Sequence, residues 1–238
     1  MREAIMSAVV LDSADEARAR EREQVWSEGK KLRPAEKWSP ENFAREEIRR
    51  LVRQMFGAAA PGLRRQIVFS AIDPETDVDG VCRRVGEALA LETSADIAVV
   101  GTFRGESNVP ERYESSDDMK KQYTPLHLIA KQIRRNLWLV PIEENKQCST
   151  TFLRAYLGEV RREFEYSIVQ SPAAGESNQA AAMAQFADGI VLVLSAQRTR
   201  RAAALKIKQA LAEAQVRLLG AVLSDREFPL PEALYRRL

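Results

Sequence analysis

The stretch Gln66-Ile67-Val68-Phe69-Ser70-Ala71-Ile72-Asp73-Pro74-Glu75-Thr76-Asp77-Val78-Asp79-Gly80 decides the fold class. A short apolar run, Gln66 to Ser70, leads through a polar loop into a helical pattern from Gly80 to Leu91. That is the strand, loop and helix order of a nucleotide-binding α/β domain. Where such a loop offers Gly, Gly-Lys and Ser/Thr to a triphosphate, this one offers Asp73, Glu75, Asp77 and Asp79. Two unscreened like charges roughly 5 Å apart repel by about 3 kcal/mol at an effective dielectric near 20, so the loop opposes a triphosphate. The expectation is a nucleotide-binding fold without its nucleotide chemistry.

Working outward, short β-rich runs alternate with helical patterns over the rest of the chain. Strands are expected at Ile67–Ser70, Ile97–Val100, Leu137–Val140, Tyr166–Val169, Gly189–Leu194 and Leu218–Leu223. Helices are expected near Gly80–Leu91, Pro125–Arg135, Thr150–Phe164, Ser177–Ala187 and Thr199–Gln215. This alternation implies an α/β domain, a mostly parallel sheet with helices on both faces. Before the first strand, Ser39-Pro40-Glu41 supplies a capping hydroxyl, a proline at the first helical position and an acid in the first turn. Ile48, Leu51, Val52, Met55 and Phe56 then follow one buried helical face, ended by Gly57 and Pro61-Gly62. Residues 1–38, dense in charge from Asp12 to Lys31, read as a flexible or loosely helical N-terminal arm, and 39–238 as the α/β domain. Gly105 to Gln122 reads as a long surface loop.

The chain has 238 residues, enough for one sizeable core. Its 36 basic and 34 acidic residues nearly cancel, which argues against a nucleic-acid partner because that function needs a concentrated basic face. Cys82 and Cys148 have neither metal spacing nor a disulfide framework, and His127 sits among apolar neighbours as a partly buried helix residue. Glu75-x-Asp77-x-Asp79-Gly80 echoes half of a calcium loop, but the position of its bidentate Glu is Gly86, so no metal site is expected. Cys82 lacks a nearby His, Asp188 reads as a turn residue and Ser70 lacks a nucleophile context, so no catalytic residue is assigned. No stretch is long and apolar enough to cross a bilayer, and the Ala4–Leu11 run is too interrupted for a signal peptide. A cytoplasmic protein is the resulting expectation.

In this order of elements the chain resembles the cytoplasmic P-loop domain of bacterial tyrosine kinases (BY-kinases) of capsule and exopolysaccharide biosynthesis, relatives of the partition and cell-division ATPases. The resemblance runs from about Pro40 onward. It is carried by Glu46-Glu47-Ile48-Arg49-Arg50-Leu51-Val52-Arg53, by Val81 to Ala90, by Phe164 to Pro172, by Ala187 to Leu194 and by Leu219 to Ser224. Aligned on the helix ending Ala88-Leu89-Ala90, the family's Gly-Lys-Ser/Thr-Ser/Thr falls on Asp77, Val78, Asp79 and Gly80. The phosphate Lys is thus Val78, and the Mg²⁺ hydroxyl is Asp79. The acid that closes the family's second strand falls on Gly101, the Walker-B-type Asp of its fourth strand on Gln170, and the adenine-reading Asn on Ser224. The C-terminal tyrosine cluster is reduced to Tyr235. Losses at four strand ends cannot be undone by one shift of register.

Glu47, Arg50 and Arg53 match the family's Glu-x-x-Arg-x-x-Arg assembly pattern and form one stripe opposite the apolar face at 100° per residue. The resemblance therefore implies a pseudo-ATPase or pseudokinase scaffold, acting by protein–protein interaction in polysaccharide assembly or export, and the reading leans against an enzyme. Self-association or an active kinase paralogue is the implied partner, with a membrane polysaccharide co-polymerase as a further candidate that would recruit the chain to the inner face of the plasma membrane. No cofactor is expected. The alternative is an active ATPase or tyrosine autokinase that uses ATP and Mg²⁺ through displaced ligands such as Asp77 or Asp79.

Overall fold

Alternation along each strand builds two cores, one on either side of a single sheet. In a computed structural model, which describes residues 7–9, 39–57, 63–102, 125–142 and 149–225, the elements run β1 (Ser7–Val9), α1 (Pro40–Phe56), β2 (Arg65–Ala71), α2 (Val78–Glu92), β3 (Ile97–Gly101), α3 (Leu126–Ile129), β4 (Lys131–Arg134), β5 (Leu137–Pro141), α4 (Thr150–Glu163), β6 (Tyr166–Gln170), α5 (Gln179–Ala184), β7 (Gly189–Ser195), α6 (Arg201–Glu213) and β8 (Leu218–Ser224). Ile67 and Phe69 of β2, Val99 of β3 and Ile168 of β6 pack with α1 and α2. Val68, Val100, Val169, Ile190 and Leu192 point the other way and pack with α4 and α5. Both faces of the sheet are therefore covered, as expected for strands with near-continuous apolar sequence.

The sheet order is β1-β8-β7-β2-β6-β3-β5-β4. The six central strands are parallel, and the two edge strands, β1 and β4, run antiparallel to their neighbours. From β2 the chain crosses over β6 to reach β3, and from β6 it crosses back over β2 to reach β7. The carboxyl ends of β2 and β6 thus flank the crevice where such sheets bind ligands.

Two expectations are corrected. Pro125–Arg135 is not one helix. Leu126–Ile129 make a single turn, Ala130 adopts an extended backbone, and Lys131–Arg134 return as an edge strand through the turn Arg135–Asn136. The Asn136 amide fixes that turn by donating to the carbonyls of Thr93 (2.8 Å) and Ala95 (3.1 Å). Every β4 side chain is exposed, so no buried face demands helical periodicity there. Likewise, an arm spanning all of 1–38 does not hold at Ser7–Val9, whose residues pair with Leu223, Val222 and Ala221 at the open edge of β8. A free strand edge is favourably covered by any apolar stretch that can reach it. Residues 10–38, the loop expected at Gly105–Gln122, Cys148 and Tyr235 lie outside the described residues.

Candidate functional site

Strand β2 ends at Ala71, and six residues carry the chain to α2. Asp73-Pro74-Glu75-Thr76 forms a turn closed by the Thr76 N–H donating to the Asp73 carbonyl (3.1 Å), with proline at the second position, where its fixed φ is favourable. The Val78 N–H donates to the Thr76 carbonyl (2.9 Å) and starts the helix. Ile72 is buried where a phosphate loop of the form Gly-x-x-x-x-Gly-Lys-Ser/Thr has its first glycine. The turn after β6 closes over it. The Ala174 N–H donates to the Ala71 carbonyl (2.8 Å), and a Cβ on Gly175 would lie 2.4 Å from the Ile72 carbonyl oxygen, so only glycine lets this turn approach.

All four loop carboxylates have partners within the chain. Asp73 Oδ2 accepts from the Thr199 hydroxyl at 2.6 Å, Glu75 pairs with Arg198, Asp77 Oδ1 accepts from the Gly80 N–H at 2.8 Å, and Asp79 lies 3.2 Å from Arg83 Nε. The unscreened repulsion expected from the sequence is therefore reduced, because Arg198 and Arg83 offset part of the charge. The stronger objections to a triphosphate are geometric. The Asp77 carboxylate caps the helix N-terminus, the position at which a phosphate would meet backbone N–H groups. Val78 is buried in the core under α2, with no cation in its place.

The two strand-end positions lie side by side, because β3 and β6 pair in register up to Val100 and Val169. Gly101 lacks a side chain, and Gln170 fills that space: a Cβ on Gly101 would sit 2.3 Å from Gln170 Oε1. Among the described residues Gln170 Oε1 is buried without a hydrogen-bond partner. The residues at these two strand ends are thus sterically coupled. Ser224 is buried at the end of β8, and its hydroxyl donates to the Leu194 carbonyl (3.2 Å), a bond within the sheet. No group of three or more His, Cys, Asp or Glu that could hold a metal occurs among the described residues.

The stripe on α1 is corrected in part. Glu47 is turned inward, with only 8% of its side chain exposed, and its Oε1 pairs with Arg50 at 2.8 Å. Arg50 and Arg53 do face outward, 63% and 71% exposed, and Arg53 Nε lies 3.5 Å from Glu92 of α2. Glu47 therefore anchors Arg50 instead of presenting its own charge, and the site at the sheet edge and this helix are separate features.

Elsewhere the residues weighed as catalytic have structural duties. Cys82 is fully buried, and burial, reinforced by Asp79 and Asp77, pushes its thiol pKa well above the ordinary value. Ser70 donates to the Pro172 carbonyl at 2.9 Å. Asp188 accepts from the Gln66 N–H at 2.7 Å and pairs with Arg161. His127 stacks on Phe164 and pairs with Glu163 through Nδ1 at 2.9 Å. Thr199 and Arg198, the partners of the acidic loop, were not legible in the sequence, since they lie 126 and 123 residues from Asp73 and Glu75 and carry no motif.

No protein-family model matches the sequence, and no curated protein does. Solved structures match it by shape. The kinase domain of the Escherichia coli tyrosine kinase ETK is 14% identical with a TM-score of 0.61, over 82% of this chain and 81% of that one. The BceF tyrosine kinase domain is 16% identical with a TM-score of 0.56, over 91% of each chain. The MinD cell division protein of Aquifex aeolicus is 17% identical with a TM-score of 0.51, over 67% of this chain and 68% of that one. The chain therefore has the P-loop NTPase-like fold of BY-kinase cytoplasmic domains and MinD-type ATPases, which confirms the fold implied by the sequence resemblance.

Proposed function

We propose that this chain is a pseudo-ATPase: a BY-kinase-like scaffold that acts in bacterial polysaccharide assembly or export by binding a protein partner, without nucleotide chemistry. The observation that carries the proposal is the Asp77 carboxylate on the Gly80 N–H, 2.8 Å away, with buried Val78 beside it at the position of the phosphate lysine. A carboxylate at that N-terminus already supplies the negative charge that the helix dipole favours, so a phosphate arriving there would displace a bonded group and meet its charge. The pathway follows from the likeness to tyrosine kinase domains and is part of the proposal.

The binding surface proposed is α1, where Arg50 and Arg53 project from a helix anchored by its buried apolar face. The partner is a second copy or an active kinase paralogue at a membrane-bound assembly. Light scattering and partner capture with the R50E/R53E double variant test this surface. Weakened association, with a salt-sensitive wild type, is the expected result, because reversed charge would face its own kind. Association identical to wild type would remove α1 from the proposal. Thermal melts with Mg-ADP and Mg-ATP test the pseudo-ATPase part, and the midpoint is expected to stay fixed because only a ligand that binds the native state raises it.

A further inference from the structure

The four carboxylates of the β2–α2 loop divide into two pairs. Asp77 and Asp79 serve α2 itself, whereas Asp73 and Glu75 reach out to the turn that follows β7. That turn is tightly built. The Thr199 N–H and the Arg198 N–H both donate to the Ser195 carbonyl, at 3.0 and 3.3 Å, and the Ala196 N–H donates to the Ser224 carbonyl at 2.9 Å. Thr199 uses its hydroxyl twice, accepting from the Ser195 N–H at 3.0 Å and donating to Asp73 Oδ2 at 2.6 Å. One hydroxyl therefore joins two loops across the carboxyl edge of the sheet, and the Asp73 carbonyl in turn closes the Asp73–Thr76 turn.

The geometry points to a built-in latch: the turn Ser195–Arg200 holds the β2–α2 loop shut and thereby replaces the ligand that would otherwise organise it. The inference rests on the pseudo-ATPase reading and supplies its regulation, a crevice edge that stays in one closed state with no nucleotide to open or close it. A hydrogen bond from a hydroxyl to a carboxylate is among the stronger neutral-to-charged bonds, and this one is partly buried. The Arg198–Glu75 pair is exposed, 57% and 74%, and adds little. Asp73 and Thr199 are consequently positioning residues, each ordering the loop of the other.

Amide hydrogen exchange on the full chain tests the latch through its reciprocity. In D73A the hydroxyl still accepts from the Ser195 N–H, so the turn after β7 keeps its own bonds, yet exchange over residues 196–201 should rise about tenfold along with that of 72–78. In T199V, exchange over 72–78 should rise by a similar factor, the double variant should exceed neither single by more than about twofold, and T199S should restore wild-type rates. Loosening confined to the loop that carries the substitution would overturn the latch. Calorimetry of the wild type with Mg-ATP reports separately on the pseudo-ATPase reading, so failure of one is distinguishable from failure of the other.

Discussion

Replacing Asp77 with alanine isolates the group that occupies the helix terminus. Asp77 is the N-cap of the 15-residue helix α2, its Oδ1 accepts from the Gly80 N–H at 2.8 Å, and Gly80 lies so close that a Cβ there would sit 2.2 Å from Asp77 Oδ2. Loss of such a cap costs about 1 kcal/mol, with roughly 2 as the upper bound, and the lost charge near the N-terminus adds about 0.3–1 kcal/mol. In a domain of this size each kcal/mol lowers the melting midpoint by roughly 2–4 °C, so D77A, losing about 1.3–3 kcal/mol in all, should melt about 3–12 °C below wild type. D77N keeps an acceptor oxygen in place and loses only the charge, and its midpoint should fall by less than half as much. Differential scanning calorimetry of the three proteins at one ionic strength reads this directly. A D77A midpoint equal to wild type, or a D77N drop as large as that of D77A, would refute the claim that the carboxylate acts as a cap.

Further outcomes follow from the same structure. V78K would put an ammonium into the core under α2, where Val78 is 6% exposed, and should cost about 2–4 kcal/mol in urea unfolding without creating ATP affinity; a cost below roughly 0.5 kcal/mol would show that the loop can reopen. E47A should destabilise by about 1–2 kcal/mol because a buried side chain and its bond to Arg50 are lost, while R50A should stay within about 1 kcal/mol of wild type; equal effects would contradict the inward placement of Glu47. Cys82 should resist alkylation in the native protein at pH 8 and react after unfolding, since burial and then Asp79 and Asp77 raise its pKa above the ordinary 9.0. Only the unfolded chain ionises this thiol just above its ordinary pKa, so its contribution to stability is full below that pKa and declines as pH rises through it. A C82A control should lack that decline in stability with alkaline pH.

What the sequence made legible was whatever a local pattern encodes. All six expected strands are present, because buried parallel strands read as β-branched apolar runs bounded by loops, and α1 begins at its Ser39 cap, whose Oγ accepts from the Asn42 N–H at 3.1 Å. The segment from Pro125 failed because its edge strand has no buried face and its turn is fixed by Asn136 bonding to residues more than forty positions away. Strand β1 was hidden for a similar reason: three residues carry too little periodicity, and only the open edge of β8 selects them. At the site, the residue types at Asp77, Val78, Gly101 and Gln170 were legible in the sequence, whereas the fit of Gln170 into the space at Gly101 and the bond from Thr199 to Asp73 are tertiary facts. The inward turn of Glu47 was partly legible, because Leu51, four residues on and on the same side of the helix, belongs to the buried face.

Isothermal titration of the wild-type protein with ATP and Mg²⁺ asks whether the helix terminus occupied by the Asp77 carboxylate, with Val78 and no cation beside it, can still take a phosphate. No saturable heat is expected up to millimolar nucleotide, which bounds any binding free energy at weaker than about 4 kcal/mol. Saturable binding in the micromolar range, about 8 kcal/mol, would contradict it, since neither the capped helix terminus nor the buried Val78 could provide that energy.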